Sequence, residues 1–251
     1  MMEETRAGGL PAFFRLVSLD SCGSTNDEAK ELARSGALEG TLVWALRQTG
    51  GRGRRGRVWT SPPGNLYCSL ILRPDMPAAA AALVSFVAAI AVAEAVSALI
   101  PGRPQLKWPN DVLVDGAKIS GILLESEAGA AGRLDWLVLG VGINVAHRPE
   151  GLPYAATSLA AAGAAELDVA VVLGRYASSF AAWYARFRQQ GFAPVRAAWR
   201  NAAFGLGGPI TVRLQDGQFE GRFIDLDAEG GLLVETGDGL RRVTAGDVFF
   251  A

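Results

Sequence analysis

The chain has 251 residues, half of them hydrophobic and a fifth charged, which suits one large folded domain with a small appendage and excludes global disorder. Basic (24) and acidic (25) residues nearly cancel to a net charge of −1, so no general basic footprint for nucleic acid exists and any such surface is confined to one local patch. Two cysteines, Cys22 and Cys68, and no charged start leading into an apolar segment argue against secretion or a disulfide framework. A reducing cytoplasm is the expected compartment.

Residues 1–12 mix charge, Gly and Pro without periodicity and predict a flexible tail, followed by a short strand over 13–19. In SCGSTNDEAKELARSG a helix is predicted from the cap residues Ser24, Thr25 and Asn26, with Glu28 three after Thr25 as in a capping box and Gly36 as its end. Strands over 41–46 and 65–72 flank a glycine-arginine loop. The alanine-rich stretch from 78 predicts a helix to 99; it contains Ser85 and runs into Glu94, which fits a buried helix on a sheet better than a membrane span. A strand ends at 106–108. Then Val112 to Val114, Asp115-Gly116 and the run from Lys118 to Leu124 predict a hairpin with a type I′ turn. Along 134–145 Leu137, Leu139, Val141, Ile143 and Val145 share one strand face while Gly140, Gly142 and Asn144 share the other, leaving a bare surface for a ligand. Apolar residues from Val169 to Phe187 recur at helical spacing. Beyond Trp199, five short strands joined by Asp216-Gly217, Gly230-Gly231 and Asp238-Gly239 predict a small all-β barrel.

Residues 50–57, GGRGRRGR, thread four arginines through four glycines. Glycine lets backbone N–H groups approach a compact anion and guanidinium forks match phosphate oxygens, so this loop points to a phosphorylated ligand. Gly51, Gly53 and Gly56 satisfy G-x-G-x-x-G, yet Val58, Trp59, Thr60, Ser61, Pro62 and Pro63 follow in place of the apolar helix a dinucleotide fold requires. A solvated basic loop or a nucleic-acid patch stays open as an alternative. The lone histidine, His147, cannot build a zinc cluster, and neither a G-x-S-x-G elbow nor a Walker lysine is present. Chemistry therefore falls to cationic and hydrogen-bonding groups around an activated phosphate. A second cluster, Lys107, Asn110, Asp111 and Lys118, converges at one end of the predicted hairpin, although taken alone it reads equally as a turn with two solvated lysines.

The order STN (24–26), QTGGRGRRGRVW (48–59), GNLYCSL (64–70), KWPNDV (107–112), KISGILLE (118–125) and GVGINV (140–145) resembles biotin-protein ligases over nearly the whole chain from Val17. The resemblance implies an α+β fold: a class II synthetase-like catalytic domain with a mixed sheet and flanking helices over 13–200, and a small C-terminal SH3-like β-barrel over 204–251. It implies ATP with Mg2+, biotin as substrate, no metal site in the chain itself, and transfer of biotin through biotinyl-5′-adenylate to a lysine of the biotin carboxyl carrier protein of acetyl-CoA carboxylase. Lys118, Arg52 and Arg54 match the catalytic positions. Ser24, Thr25, Asn26, Gln48, Gly51, Arg52, Gly53, Arg54, Lys118, Gly121, Gly140 and Gly142 match the biotin site. For ATP the matching positions are Arg54, Arg55, Arg57, Trp59, Lys107, Asn110, Lys118 and Asn144, and Asp111 is the candidate orienter or base for the acceptor amine. Thr49 and Gly50 depart from an alanine-containing variant common in relatives, which bears on loop stiffness. Only about sixteen residues precede Val17, too few for the helix-turn-helix domain of many bacterial members, so a ligase without DNA binding is expected. No membrane partner is expected, and a homodimer joined at a sheet edge is the quaternary expectation. The rival is a lipoate-protein ligase or octanoyl transferase of the same catalytic fold, the transferase requiring a cysteine nucleophile.

Overall fold

A computed structural model describes residues 4–5, 9–165 and 167–250. Strands β1 (Glu4–Thr5), β2 (Arg15–Leu19), β3 (Thr41–Ala45), β4 (Leu66–Leu72), β5 (Pro104–Lys107), β6 (Asp111–Val114), β7 (Ala117–Ala128) and β8 (Leu134–Ile143) form one mixed sheet in the order β1-β2-β3-β4-β8-β7-β6-β5. Only β2 and β3 pair in parallel, and helix α1 (Thr25–Arg34) makes the crossover that such a pair requires. The 5–6 hairpin and the 6–7 hairpin keep the remaining neighbours antiparallel.

Side-chain alternation divides this sheet into a core face and a working face. Leu66, Cys68, Leu70 and Leu72 of β4 join Leu137, Leu139, Val141 and Ile143 of β8 against helices α2 (Leu83–Ser97) and α3 (Val169–Gln190). The segment Ala78–Ser97 has a mean hydropathy of 2.2 because α2 is packed between sheet, α3 and a further helix α4 (Ala193–Asn201), as a core helix must be. On the opposite face, Ala29 and Ala33 of α1 cover Val17, Val43, Ile71, Trp136 and Val138. The part of that face which α1 leaves uncovered carries the glycines.

The second sheet holds β9 (Pro209–Arg213), β10 (Gln218–Leu226), β11 (Leu232–Thr236), β12 (Gly239–Val243) and β13 (Asp247–Phe250), in the order β12-β11-β10-β9-β13. All pairings are antiparallel as an SH3-like unit requires, but β12 and β13 are both edges among the described strands, so the expected barrel does not close by ladder pairing. The unit is seated on the catalytic part by Trp199 against Phe223 (centroids 6.4 Å apart), by Arg196 donating to the Leu226 carbonyl at 2.6 Å, and by Trp108 Nε1 donating to the Gly230 carbonyl at 3.0 Å.

Four sequence expectations change. Within the expected tail, Glu4–Thr5 pairs with Leu16 and Val17, while 1–3 and 6–8 lie outside the described residues. The long alanine-rich helix begins as a separate 3-10 turn, Ala78–Ala80. Helix α4, with Pro194 in its first turn, was hidden by its brevity. The capping box does not form: Ser24 is the N-cap without a side-chain capping bond, and the Thr25 hydroxyl turns to Gln48. A buried partner outcompetes the local backbone there. The Asp115-Gly116 turn does form as expected, with φ 49° and 75°.

Candidate active site

Pairing register assembles the floor of the site. Ala45, Tyr67, Gly142, Gly121, Asp111 and Lys107 stand side by side on β3, β4, β8, β7, β6 and β5. The neighbouring row is Ser69, Gly140 and Leu123. Where every other strand position would project a side chain, Gly142 and Gly121 leave a trough, and the Trp59 indole lies in it. A Cβ at Gly142 would come within 2.6 Å of Trp59 Cε2, and one at Gly121 within 3.1 Å of Cζ3. The Trp59 Nε1 is buried without a hydrogen-bond partner, a donor left for a ligand.

A polar corner closes one end of the trough. The Gln48 Oε1 accepts from the Thr25 N–H at 2.8 Å and from the Thr25 hydroxyl at 3.1 Å, while Gln48 Nε2 donates to Ser61 Oγ at 2.9 Å. Ser69 Oγ lies 2.8 Å from Thr25 Oγ1 and donates to Asn26 Oδ1 at 2.6 Å; Asn26 Nδ2 in turn donates to Glu125 Oε2 at 2.7 Å. Gly140 is required beneath this corner, because a Cβ there would fall 2.1 Å from Asn26 Oδ1. Ser24 is buried at the same edge and lines the cleft. The start of α1 thus walls this end of the cleft, its side chains held by tertiary partners.

The opposite end is cationic. Lys118 Nζ makes an ion pair with Asp111 Oδ1 at 2.6 Å and lies 5.6 Å from the ring centres of Trp59 and Tyr154. Lys107 Nζ lies 5.7 Å from the rings of Phe249 and Phe250, and burial lowers its pKa. Arg54 reaches in from the loop, donating to Asn110 Oδ1 at 3.2 Å, while Asn110 Nδ2 donates to the Ile122 carbonyl at 2.6 Å. Three cations facing one carboxylate, Asp111, and the carboxylate of Asp247 at the rim form a cleft that concentrates anions.

The glycine-arginine loop is folded down as a tight hairpin. Gly53 N–H donates to the Arg57 carbonyl at 2.7 Å and Trp59 N–H to the Gly51 carbonyl at 2.9 Å. Arg52 holds Asp27 with both Nη atoms, at 2.5 and 2.7 Å, and Glu125 at 3.0 Å. That fork lowers the Asp27 carboxyl to about 2. Burial pushes Glu125 up, but hydrogen bonds from Asn26 and Lys30 and the Arg52 charge hold it below the usual carboxylate range.

Of the residues expected from sequence, Ser24, Thr25, Asn26, Gln48, Arg52, Gly53, Arg54, Arg57, Trp59, Lys107, Asn110, Asp111, Lys118, Gly121, Gly140 and Gly142 line this one cleft. Three stand apart. Gly51 lies on the loop's other side, packed so closely on Ser61 and Trp59 that a Cβ would meet their oxygens at 2.5 Å. Arg55 pairs with Asp247 at 3.1 Å. Asn144 donates its amide to the Thr157 carbonyl at 2.9 Å, bracing the segment whose Ala155 carbonyl accepts from Lys118 N–H. Glu125, Asp27, Ser69, Tyr154 and Asp247 were not anticipated. For Glu125 a signal existed, since Gly121, Leu123 and Glu125 alternate onto the working face of β7.

Burial raises the Cys22 thiol to about 11 and the Cys68 thiol to about 12, so both are protonated at neutral pH and neither is an activated nucleophile.

Residues 19–144 match the biotin/lipoate A/B protein ligase family, and residues 205–251 match the biotin protein ligase C-terminal domain. The biotin--[acetyl-CoA-carboxylase] ligase of Paracoccus denitrificans is 39% identical over 234 residues, covering 90% of this chain and 97% of its own. The chain belongs to the biotin protein ligase family. The ligase is also 38% identical over 238 residues to the bifunctional ligase/repressor BirA of Bacillus subtilis, across 93% of this chain and 73% of that one. Among solved structures, the biotin protein ligase from Aquifex aeolicus in complex with biotin and ATP matches it with a TM-score of 0.80 at 29% identity, over 94% of this chain and 98% of that chain.

Proposed function

We propose that this ligase joins biotin to ATP and passes the biotinyl group to a carrier lysine. The carrying observation is the glycine-floored trough with a neutral hydrogen-bonding corner at one end and Lys118, Lys107 and Arg54 at the other. A fused-ring ligand with a polar ureido head and a carboxylate tail has its complement in that order: apolar floor, Ser24–Thr25–Gln48 corner, cationic end. The gene products similar to it that are named for biotin, and the solved relative that holds biotin and ATP, favour biotin over lipoate.

In the first step a biotin carboxylate oxygen attacks the α-phosphorus of ATP, the bond to the β-phosphate oxygen breaks, and pyrophosphate leaves. Two unit negative charges brought within 4 Å repel by about 4 kcal/mol at an effective dielectric constant of 20. Lys118, held by Asp111, supplies the charge that offsets this repulsion without forming a covalent bond. Arg54 and Lys107 line the cationic end and would meet the phosphates, while Arg52, engaged with Asp27 and Glu125 beside Asn26, would have to exchange a partner to reach the carboxylate. Trp59, on the glycine floor, offers its ring to the adenine and its free Nε1–H to a ligand acceptor. In the second step the neutral lysine amine attacks the biotinyl carbonyl, the amide forms with loss of a proton and of AMP, and Asp111, at the cationic end, would orient the amine.

Mg2+ enters this reading with ATP, as a companion of the triphosphate. The division into a catalytic part over 13–200 and an SH3-like part over 204–251, a homodimer and a cytoplasmic location complete the reading. Its test is intact-mass analysis of a biotin carboxyl carrier domain after incubation with the ligase. One biotinyl increment that requires ATP and the carrier lysine supports the reading, and modification by lipoate without modification by biotin would replace it.

A further inference from the structure

Asp247, the first residue of β13, meets the tip of the glycine-arginine loop 192 residues earlier in the chain. Its Oδ2 accepts from Arg55 Nη1 at 3.1 Å and from Arg57 Nη2 in closer contact. The carboxylate is mostly buried, with 15% of the side chain exposed. Arg55 adopts a left-handed backbone (φ 56°, ψ 34°) and Gly56 follows at φ 71°, so the tip reverses direction between Arg54 and Arg57. That reversal sorts the guanidinium groups: Arg54 points into the cleft toward Asn110, whereas Arg55, and Arg57 at the cleft rim, turn to Asp247 of the C-terminal sheet. Because the hairpin carries Trp59 at its base, fixing the tip also fixes the indole over the glycine floor.

We propose that Asp247 is a positioning residue that latches the loop closed from the C-terminal domain, and that Arg55 and Arg57 serve this latch while Arg54 alone serves the phosphates. The proposal rests on the adenylation reading for its kinetic consequence but not for the latch itself. Without the Asp247 carboxylate, two adjacent cations repel each other and the glycine-rich hairpin regains its conformational freedom.

The loop's own arginines provide the probe, since trypsin cleaves after them. Asp247→Asn is expected to speed tryptic cleavage at Arg55 and Arg57 and to raise the KM for ATP about tenfold, as for a lost charge-assisted pair, with biotin affinity in the absence of ATP unchanged. Asp247→Glu restores both readouts. Arg57→Gln, at an exposed position that folding tolerates, reproduces the effect in part as read by cleavage after Arg55 and by the KM for ATP, and by these two readouts the double variant is no worse than Asp247→Asn alone. Cleavage rates and ATP KM equal to wild type, or effects that simply add in the double variant, would overturn the latch. A wild-type protein without biotin-dependent turnover would overturn the adenylation reading instead, and the tryptic comparison would still decide the latch.

Discussion

Trp59 and Gly142 share one position on the working face of the sheet, the indole filling the space that any other residue's Cβ would take. Gly142→Ala must displace the ring, and overpacking of this kind costs about 1–3 kcal/mol. If Trp59 packs on the nucleotide, kcat/KM for ATP falls roughly 10- to 100-fold in pyrophosphate exchange, since 1.4 kcal/mol is about tenfold. The melting temperature should fall by about 2–12 °C, at roughly 2–4 °C per kcal/mol for a chain of this size, with the lower end expected where the loop residue gives way.

Lys118 and Asp111 form the ion pair at the cationic end, each with a fifth or less of its side chain exposed. Lys118→Ala is expected to slow exchange by about 10²–10³-fold, the loss typical of a group that stabilises developing charge. Asp111→Asn should slow exchange about tenfold through misplacement of Lys118, as for the loss of one partner of a largely buried ion pair. Single-turnover measurement of each step separates the roles: exchange at the wild-type rate with slowed transfer would confine Asp111 to the acceptor amine.

The Asp27 carboxyl is held at about 2 by its hydrogen bond from Arg52, below the ordinary aspartate value of 3.8. A depressed pKa stabilises the folded form fully above 3.8, and that contribution is lost as pH falls from 3.8 through about 2. Asp27 is half exposed, so the effect is small and screened by salt. Urea melts should therefore show Asp27→Asn slightly less stable than wild type at pH 6, with the gap closing toward pH 2 and narrowing in 1 M salt, a condition that shortens the Debye length to about 3 Å. A gap that persists at pH 2 would assign the loss to packing.

Both thiols are raised by burial, Cys22 to about 11 and Cys68 to about 12. Iodoacetamide at pH 7.5 should leave transfer activity intact, and Cys22→Ser should transfer biotin at close to the wild-type rate. Loss of transfer in either experiment would point to a cysteine acyl intermediate.

Alternation made the working face legible before any coordinates: Gly140 and Gly142 stand bare on one side of β8 while Leu139, Val141 and Ile143 enter the core on the other. The same period carried from Gly121 to Glu125, where a carboxylate among ligand-binding residues is informative only once Arg52, Lys30 and Asn26 are seen around it. Asp247 left no local signal, since its partners lie 190 and 192 residues away. Nor did Arg55 and Arg57 announce their direction, which depends on the left-handed turn at Arg55 and not on their residue type. Thr25 shows the converse: its local pattern was a cap, and the buried Gln48 took its hydroxyl instead.

On the proposed mechanism the cleft activates biotin with ATP before any carrier is present, and exchange of labelled pyrophosphate into ATP measures that step alone. Incorporation that depends on biotin and falls about 10²–10³-fold in Lys118→Ala is the predicted result. Incorporation without biotin, or none when biotin, ATP and Mg2+ are all supplied to the folded protein, would contradict it.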